Sequence, residues 1–304
     1  MKKQNIIMGI GFVLLFVMVI GVSYAAYKFS AAGTKGADTL IKLTNNQNNS
    51  GLYTITHPAD STLQIGATES ITEYRYRGAS PKNYVIFNGE IWRIIGVFPT
   101  DDGTGNIENR IKIIKDQSIG EYEWKTDSSN NWTGATLNTE LNTTYLNSLD
   151  SISKSMIGQA KYYLGGYNAS DIQKNLMYQY ERKINGSTYY YGSNLNNFIG
   201  KLALMYAGDY GYATSDECTQ NLFDYDNATC KNNNWLFKGN TEWILSQNAS
   251  YNRWAFSVRS DGRVYNSDSV SYDQLAVRPV LYLTSSAKIT GGDGTSSNPY
   301  TLGI

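Results

Sequence analysis

Trp243-Ile244-Leu245-Ser246, Ala255-Phe256-Ser257-Val258-Arg259-Ser260-Asp261-Gly262 and Ala276-Val277-Arg278-Pro279-Val280-Leu281-Tyr282-Leu283 decide how this chain folds. Each contains a short apolar run with the length and content of a buried strand. The residues between them are mostly Asn, Ser, Tyr, Asp and Arg. An apolar β frame carrying polar and aromatic loops is the layout of a recognition domain. It predicts a binding surface in the loops between 243 and 277.

The rest of the chain fits an α+β class, with strands toward both ends and helices between them. Tyr84-Val85-Ile86-Phe87-Asn88-Gly89-Glu90-Ile91-Trp92-Arg93-Ile94-Ile95 reads as a hairpin. Its Asn-Gly tip suits a type I′ turn, which sets Phe87 against Glu90, Ile86 against Ile91 and Val85 against Trp92. Both faces are largely apolar, so an interior hairpin is expected. Arg110 to Lys115 adds a strand. Leu137, Leu141, Tyr145, Leu146 and Leu149 recur at helical spacing. A second helix is expected at Asp171 to Tyr180, capped by Ser170 or Asp171. These two helices would cover the sheet. Ile199 to Tyr206 reads as a strand, and Gly208 to Tyr212 as a turn.

Lys2 and Lys3 precede an uncharged apolar run from Ile6 to Tyr27. About 20 such residues at ~1.5 Å each span a ~30 Å hydrocarbon core. Residues 1–27 are therefore read as a membrane anchor, with residues 6–27 in the lipid bilayer and the flanking lysines cytoplasmic. The predicted localisation is a single-pass cell-membrane protein with an extracellular C-terminal part. A cleaved signal segment is the alternative, because Ser23-Tyr24-Ala25 ends the run with small residues; cleavage after Ala25 would give a secreted protein. Residues 28–73 hold few large apolar side chains and read as a flexible spacer, with one short strand at Leu52 to Ile55. The domain proper is placed at 74–304.

With 26 basic and 26 acidic residues the chain has no net charge. It lacks the electrostatic footprint of a nucleic-acid binder. Cys218 and Cys230 are the only cysteines, and in an exported chain they permit a disulfide. His57, the one histidine, lies in the expected spacer and reads as loop decoration. A Ser-His-Asp centre would need it in a pocket. One His and two cysteines cannot assemble a zinc site, and no GxxxxGK[ST] loop exists. Asp101-Asp102-Gly103-Thr104-Gly105-Asn106 lacks the ligand pattern of an EF-hand. No catalytic residue, metal or cofactor is assigned. Carboxylate pairs such as Glu121 with Glu123 leave a hydrolase of cell-wall polymer as the alternative, and a structural surface subunit as a third reading.

The ligand-side candidates are Tyr251, Arg253, Arg259, Arg263 and Tyr272, set among Asn, Ser and Asp in 248–274. Tyr supplies contact area at small entropic cost, and Ser and Asn supply adaptable hydrogen bonds. A chain rich in Tyr and Asn would carry such residues in any solvated loop. Trp92, Trp243 and Arg278 are expected to be structural.

The chain resembles an uncharacterised family of exported Gram-positive bacterial proteins. The resemblance rests on Arg77-Gly78-Ala79-Ser80-Pro81-Lys82-Asn83-Tyr84, Trp92-Arg93-Ile94-Ile95-Gly96, Asp209-Tyr210-Gly211-Tyr212-Ala213-Thr214, Asn234-Trp235-Leu236, Val277-Arg278-Pro279-Val280 and Thr290-Gly291-Gly292-Asp293-Gly294-Thr295. Such proteins carry one membrane segment and a domain similar to the C-type-lectin-like fold of formylglycine-generating-enzyme relatives. The resemblance implies a loop surface between Trp243 and Val277. It implies no copper chemistry, because Cys218 and Cys230 do not occupy the oxidase motif. A membrane-tethered binding protein for an extracellular glycan, peptide or protein is the expected function.

Overall fold

The computed structural model describes residues 35–304. The expected membrane segment at 6–27 lies outside them. Among the described residues no helix is long and apolar enough to cross a membrane.

The Asn-Gly hairpin organises the larger of two principal sheets. Strands β3 (Tyr84–Phe87) and β4 (Glu90–Asp101) pair antiparallel in the register their two-residue turn dictates, with Val85 opposite Trp92. Asn88 and Gly89 both take positive φ, 55° and 70°, as a type I′ turn requires. Only one face of the tip is interior. Val85, Phe87 and Trp92 are buried, whereas Ile91 is exposed, because alternation sends it to the opposite face. The expectation of an interior hairpin therefore holds for one face.

Strand β4 is long and pairs along its length with β5 (Ile107–Lys115). The sheet continues on one side through β2 (Ile71–Arg77) to β1 (Gly51–His57), and on the other through β15 (Val280–Tyr282) to β10 (Leu202–Ala203). Most of the expected spacer is thus part of the fold. Residues 36–41 form a helix whose Leu40 is fully buried, and β1 pairs with β2 over all seven of its residues. Backbone pairing orders this segment where apolar content is low. Arg77 completes it: the guanidinium sits 4.0 Å over the Tyr53 ring and donates to the carbonyls of Asn46 and Asn48. The Asn-rich loop is held by those carbonyl contacts.

The second sheet runs β13 (Val264–Ser269), β12 (Trp254–Val258), β11 (Glu242–Asn248), β14 (Leu275–Ala276) and β6 (Glu121–Tyr122), with β8 (Gly166–Tyr167) also parallel to β11. The three opening runs therefore do not form one sheet. The chain leaves the second sheet at Ala276 and enters the first at Val280. Arg278 lies at this crossing.

Helical backbone runs over residues 136–148, with a π stretch at Glu140–Tyr145. It buries Leu137 and Leu141, as their spacing predicts. From this stretch the Asn142 amide bonds both the N–H and the carbonyl of Leu202, standing in for a neighbouring strand. The second helix is Lys174–Glu181; its N-cap is Gln173, without a side-chain cap. Asp171 instead accepts a 2.6 Å bond from Asn221. The expected turn at 208–212 is a short helix, Ala207–Tyr212, whose Asp209 carboxylate accepts the Tyr206 N–H. The stretch expected as one strand from Ile199 to Tyr206 is split between β9 (Asn197–Gly200) and β10. The class is α+β with mostly antiparallel sheets.

Candidate functional site

Cys218 and Cys230 form a disulfide that closes a loop against the second sheet. The loop is rich in polar residues, among them Asn221, Asp224, Asp226 and Asn227. Its Leu222 and Tyr225 are in fact fully buried, and the Tyr225 hydroxyl donates to the Gly211 carbonyl. These anchors leave Phe223 and Asp224 at the surface, where they form one wall of a groove of about 490 Å³. The other walls are Asn168 to Asp171, following β8, and Asn266 with Ser267 on β13.

The three segments are tied to one another. Phe223 N–H donates to the Ser170 carbonyl, Leu222 N–H to the Ile172 carbonyl, and the Asn266 amide to the Asn168 carbonyl. Gly166 makes this possible. A Cβ there would stand 1.8 Å from the Gln247 carbonyl oxygen, so only glycine lets β8 approach β11 so closely. Arg263 sits beside the groove, 5.2 Å over the Phe223 ring, and is held by Asp261 at 2.7 Å. Burial works against the Asp261 charge, but the Arg263 hydrogen bonds outweigh it and hold the carboxyl below its ordinary range. The same pair raises the Arg263 pKa.

The five predicted ligand residues do not form one surface. Arg259 and Arg263 flank the turn between β12 and β13, where the Tyr210 hydroxyl donates to the Gly262 carbonyl. Tyr251, Arg253 and Tyr272 lie at the other end of β12; Val270 N–H bonds the Arg253 carbonyl there. Five strand residues at about 3.4 Å each put roughly 17 Å between the groups. Arg259 is engaged from both sides, 2.9 Å from Asp268 and 4.5 Å over Tyr265. Burial raises the Asp268 pKa, offset in part by the Ser257 hydroxyl and Arg259. Tyr251 packs at a tilt against Trp254, ring centres 4.4 Å apart, and Tyr272 is 81% exposed. The loop between β11 and β12 is stapled by buried Asn130, whose amide donates to the carbonyls of Asn248, Tyr251 and Trp254. The sequence reading missed Asn130, Phe223 and Asp171. The Ile172–Leu222 and Ser170–Phe223 bonds that bring two of these together join residues about 50 apart.

The sequence reading also missed a buried ionic core. Arg75 bridges Glu73 and Asp209, each at 2.8 Å, and Lys112 reaches Asp209 at 2.5 Å. Arg182 pairs with Glu181 at 3.1 Å and lies 3.6 Å over the Tyr178 ring. Three cations meet three acids. His57 is no loop decoration. It sits on β1, stacks at 3.6 Å on Tyr178 and contacts Glu73 at 3.3 Å. Burial opposes the Glu73 charge, but Arg75 and His57 hold its pKa well below the usual range. Burial raises Glu181, only partly offset by Arg182 and the Gly208 N–H.

Trp92 and Trp243 are core residues, Trp243 packing edge-on to Trp124. Arg278 forms a two-pronged pair with Glu242 at 2.6 and 2.7 Å and donates to the Leu236 carbonyl. Among the described residues no group of three or more His, Cys, Asp or Glu side chains is placed to hold a metal ion. No protein-family model matches the chain, and no curated protein or solved structure matches it.

Proposed function

We propose that this chain is a membrane-tethered surface protein whose C-type-lectin-like domain binds an extracellular glycan in the groove beside the disulfide loop. One observation carries the reading: three cross-bonded segments hold a single aromatic ring, Phe223, among Asp171, Asp224, Asn266 and Ser267 in an open groove of about 490 Å³. An apolar ring face suits the C–H face of a sugar, and amide, hydroxyl and carboxylate groups suit its hydroxyls. Clefts of this size hold small ligands. Arg263 extends the surface toward the β12–β13 turn. Tyr251, Arg253 and Tyr272 form a separate exposed patch, which extends the contact only for a long ligand.

A glycan array probed with the purified protein tests this. Specific sugar binding that falls at least tenfold in Phe223→Ala and Asn266→Ala is expected. Binding that survives both substitutions but is lost in Tyr251→Ala/Tyr272→Ala would move the site to the far patch. Binding only to peptides would replace the glycan class. The hydrolase reading stays second because two carboxylates, Asp171 and Asp224, line the same groove. It predicts reducing ends released from cell-wall polymer, and loss of that release in Asp224→Asn.

A further inference from the structure

We infer that Lys112 and Asp209 are a self-crosslinking pair, joined in the mature protein by an amide bond between Lys112 Nζ and Asp209 Cγ. The inference is independent of the groove and of what it binds.

The geometry is that of two reactants already in contact. Lys112 Nζ lies 2.5 Å from Asp209 Oδ2, and both side chains are 1% exposed. A nitrogen touching one carboxylate oxygen stands near the carboxyl carbon, at about the 3–3.5 Å separation from which attack proceeds. Neither partner is free to leave. Lys112 lies mid-strand in β5, paired with Gly96 on one side and Tyr282 on the other. Asp209 is fixed by the Tyr206 N–H, which donates to Oδ2 at 3.0 Å. The orientation that costs most in solution is supplied by the fold.

The surroundings favour loss of charge on the amine. The amine lies 4.4 Å from the Tyr206 ring centre, 5.3 Å from Tyr282 and 5.6 Å from Phe98. Burial lowers the Lys112 pKa, offset in part by Asp209, which moves it toward the nucleophilic free amine. Asp209 is held in the ionised direction, since Lys112 and Arg75 outweigh its burial. Arg75 thus opposes protonation of the ground-state acid. It also serves the reaction, because Nη1 donates to Oδ1 at 2.8 Å, where negative charge develops on attack.

The step balances within the pair. Nζ bonds to Cγ and the Cγ–Oδ2 bond breaks. The two protons that the ammonium gives up both end on Oδ2, which departs as water. Oδ1 remains as the amide carbonyl, still under Arg75. Nothing is oxidised or reduced and no other reactant is consumed. The product ties the central β5 to the helix Ala207–Tyr212 across 97 residues of chain.

Mass spectrometry of the purified full chain decides the matter. The intact mass should be one water below that required by the observed N-terminus. A digest should give one branched peptide carrying Lys112 joined to Asp209. Lys112→Arg should restore the missing water. In wild-type protein kept in urea from the moment of synthesis the bond should be absent, then form on refolding. A full-mass wild-type protein yielding only linear peptides with free Lys112 and Asp209 would overturn the inference and leave a buried ion pair. This readout needs no variant to fold.

Discussion

Replacing Arg278 with Met tests whether the crossing between the two sheets is an electrostatic joint. Arg278 and Glu242 are 3% and 2% exposed, and their two bonds run at 2.6 and 2.7 Å. Met keeps much of the stem and removes the charge, leaving Glu242 in the interior. Removing one partner of a buried pair costs about 3–5 kcal/mol. The carboxylate can escape by taking up a proton. Protonating a free glutamate at pH 7 costs about 3.7 kcal/mol, at about 1.36 kcal/mol per pH unit above a solution pKa near 4.3. That sets a ceiling on the charge penalty, so the loss should be about 3–4 kcal/mol. At roughly 2–4 °C per kcal/mol for a domain of this size, melting should fall by about 6–16 °C. Because relief comes through protonation, the gap to wild type should narrow as pH is lowered toward 5. Adding Glu242→Gln should restore much of the loss, since no buried charge is then left alone. Calorimetric scans of the wild type, the single variant and the double variant at pH 7 and 5 measure all of this. A drop under 2 °C for Arg278→Met, or a double variant as unstable as the single, would refute the reasoning.

Gly166→Ala forces a Cβ to within 1.8 Å of the Gln247 carbonyl oxygen; a loss of about 1–3 kcal/mol and weaker groove binding are expected by thermal scan and glycan titration. Opening the disulfide by Cys218→Ser with Cys230→Ser should cost roughly 3 kcal/mol for so short a loop, read by urea unfolding. Glu73 has a folded pKa depressed below its unfolded value. Its stabilisation is therefore present above about pH 4.3 and is lost as pH falls through the folded value. Glu73→Gln should flatten the acid limb of stability against pH, and an unchanged slope would show that other carboxylates set it.

The parts of this protein legible in its sequence are those set by neighbours along the chain. Asn88-Gly89 determined a turn, and with it the pairing of Phe87 with Glu90, Ile86 with Ile91 and Val85 with Trp92. The spacing of Leu137 and Leu141 determined a helical stretch that buries both. Both readings need only local backbone preference and periodicity. The segment 35–73 resisted because its order comes from β1 lying along β2 and from Arg77 gripping distant carbonyls. Its own composition argued for a loose chain.

The site divides in the same way. Composition singled out the polar loops of 248–274, and the fold then separated Arg263 from Tyr272 by the length of a strand. It supplied Phe223 and Asp171 from elsewhere, since a groove is a property of segments meeting in space. The assembly of the ionic core was tertiary: Glu73 with Arg75 and Glu181 with Arg182 are near neighbours in sequence, but Asp209 reaches Arg75 and Lys112 across 134 and 97 residues. His57, Glu73, Lys112, Glu181 and Asp209 read as ordinary scattered polar residues in sequence. Charges far apart along the chain become partners only when strands and helices exclude water around them. The sequence alone determined the Asn88-Gly89 turn with its register and the apolar runs that became buried strands. Only the tertiary structure decided which charges would be buried together, because desolvation depends on every element that packs around a group.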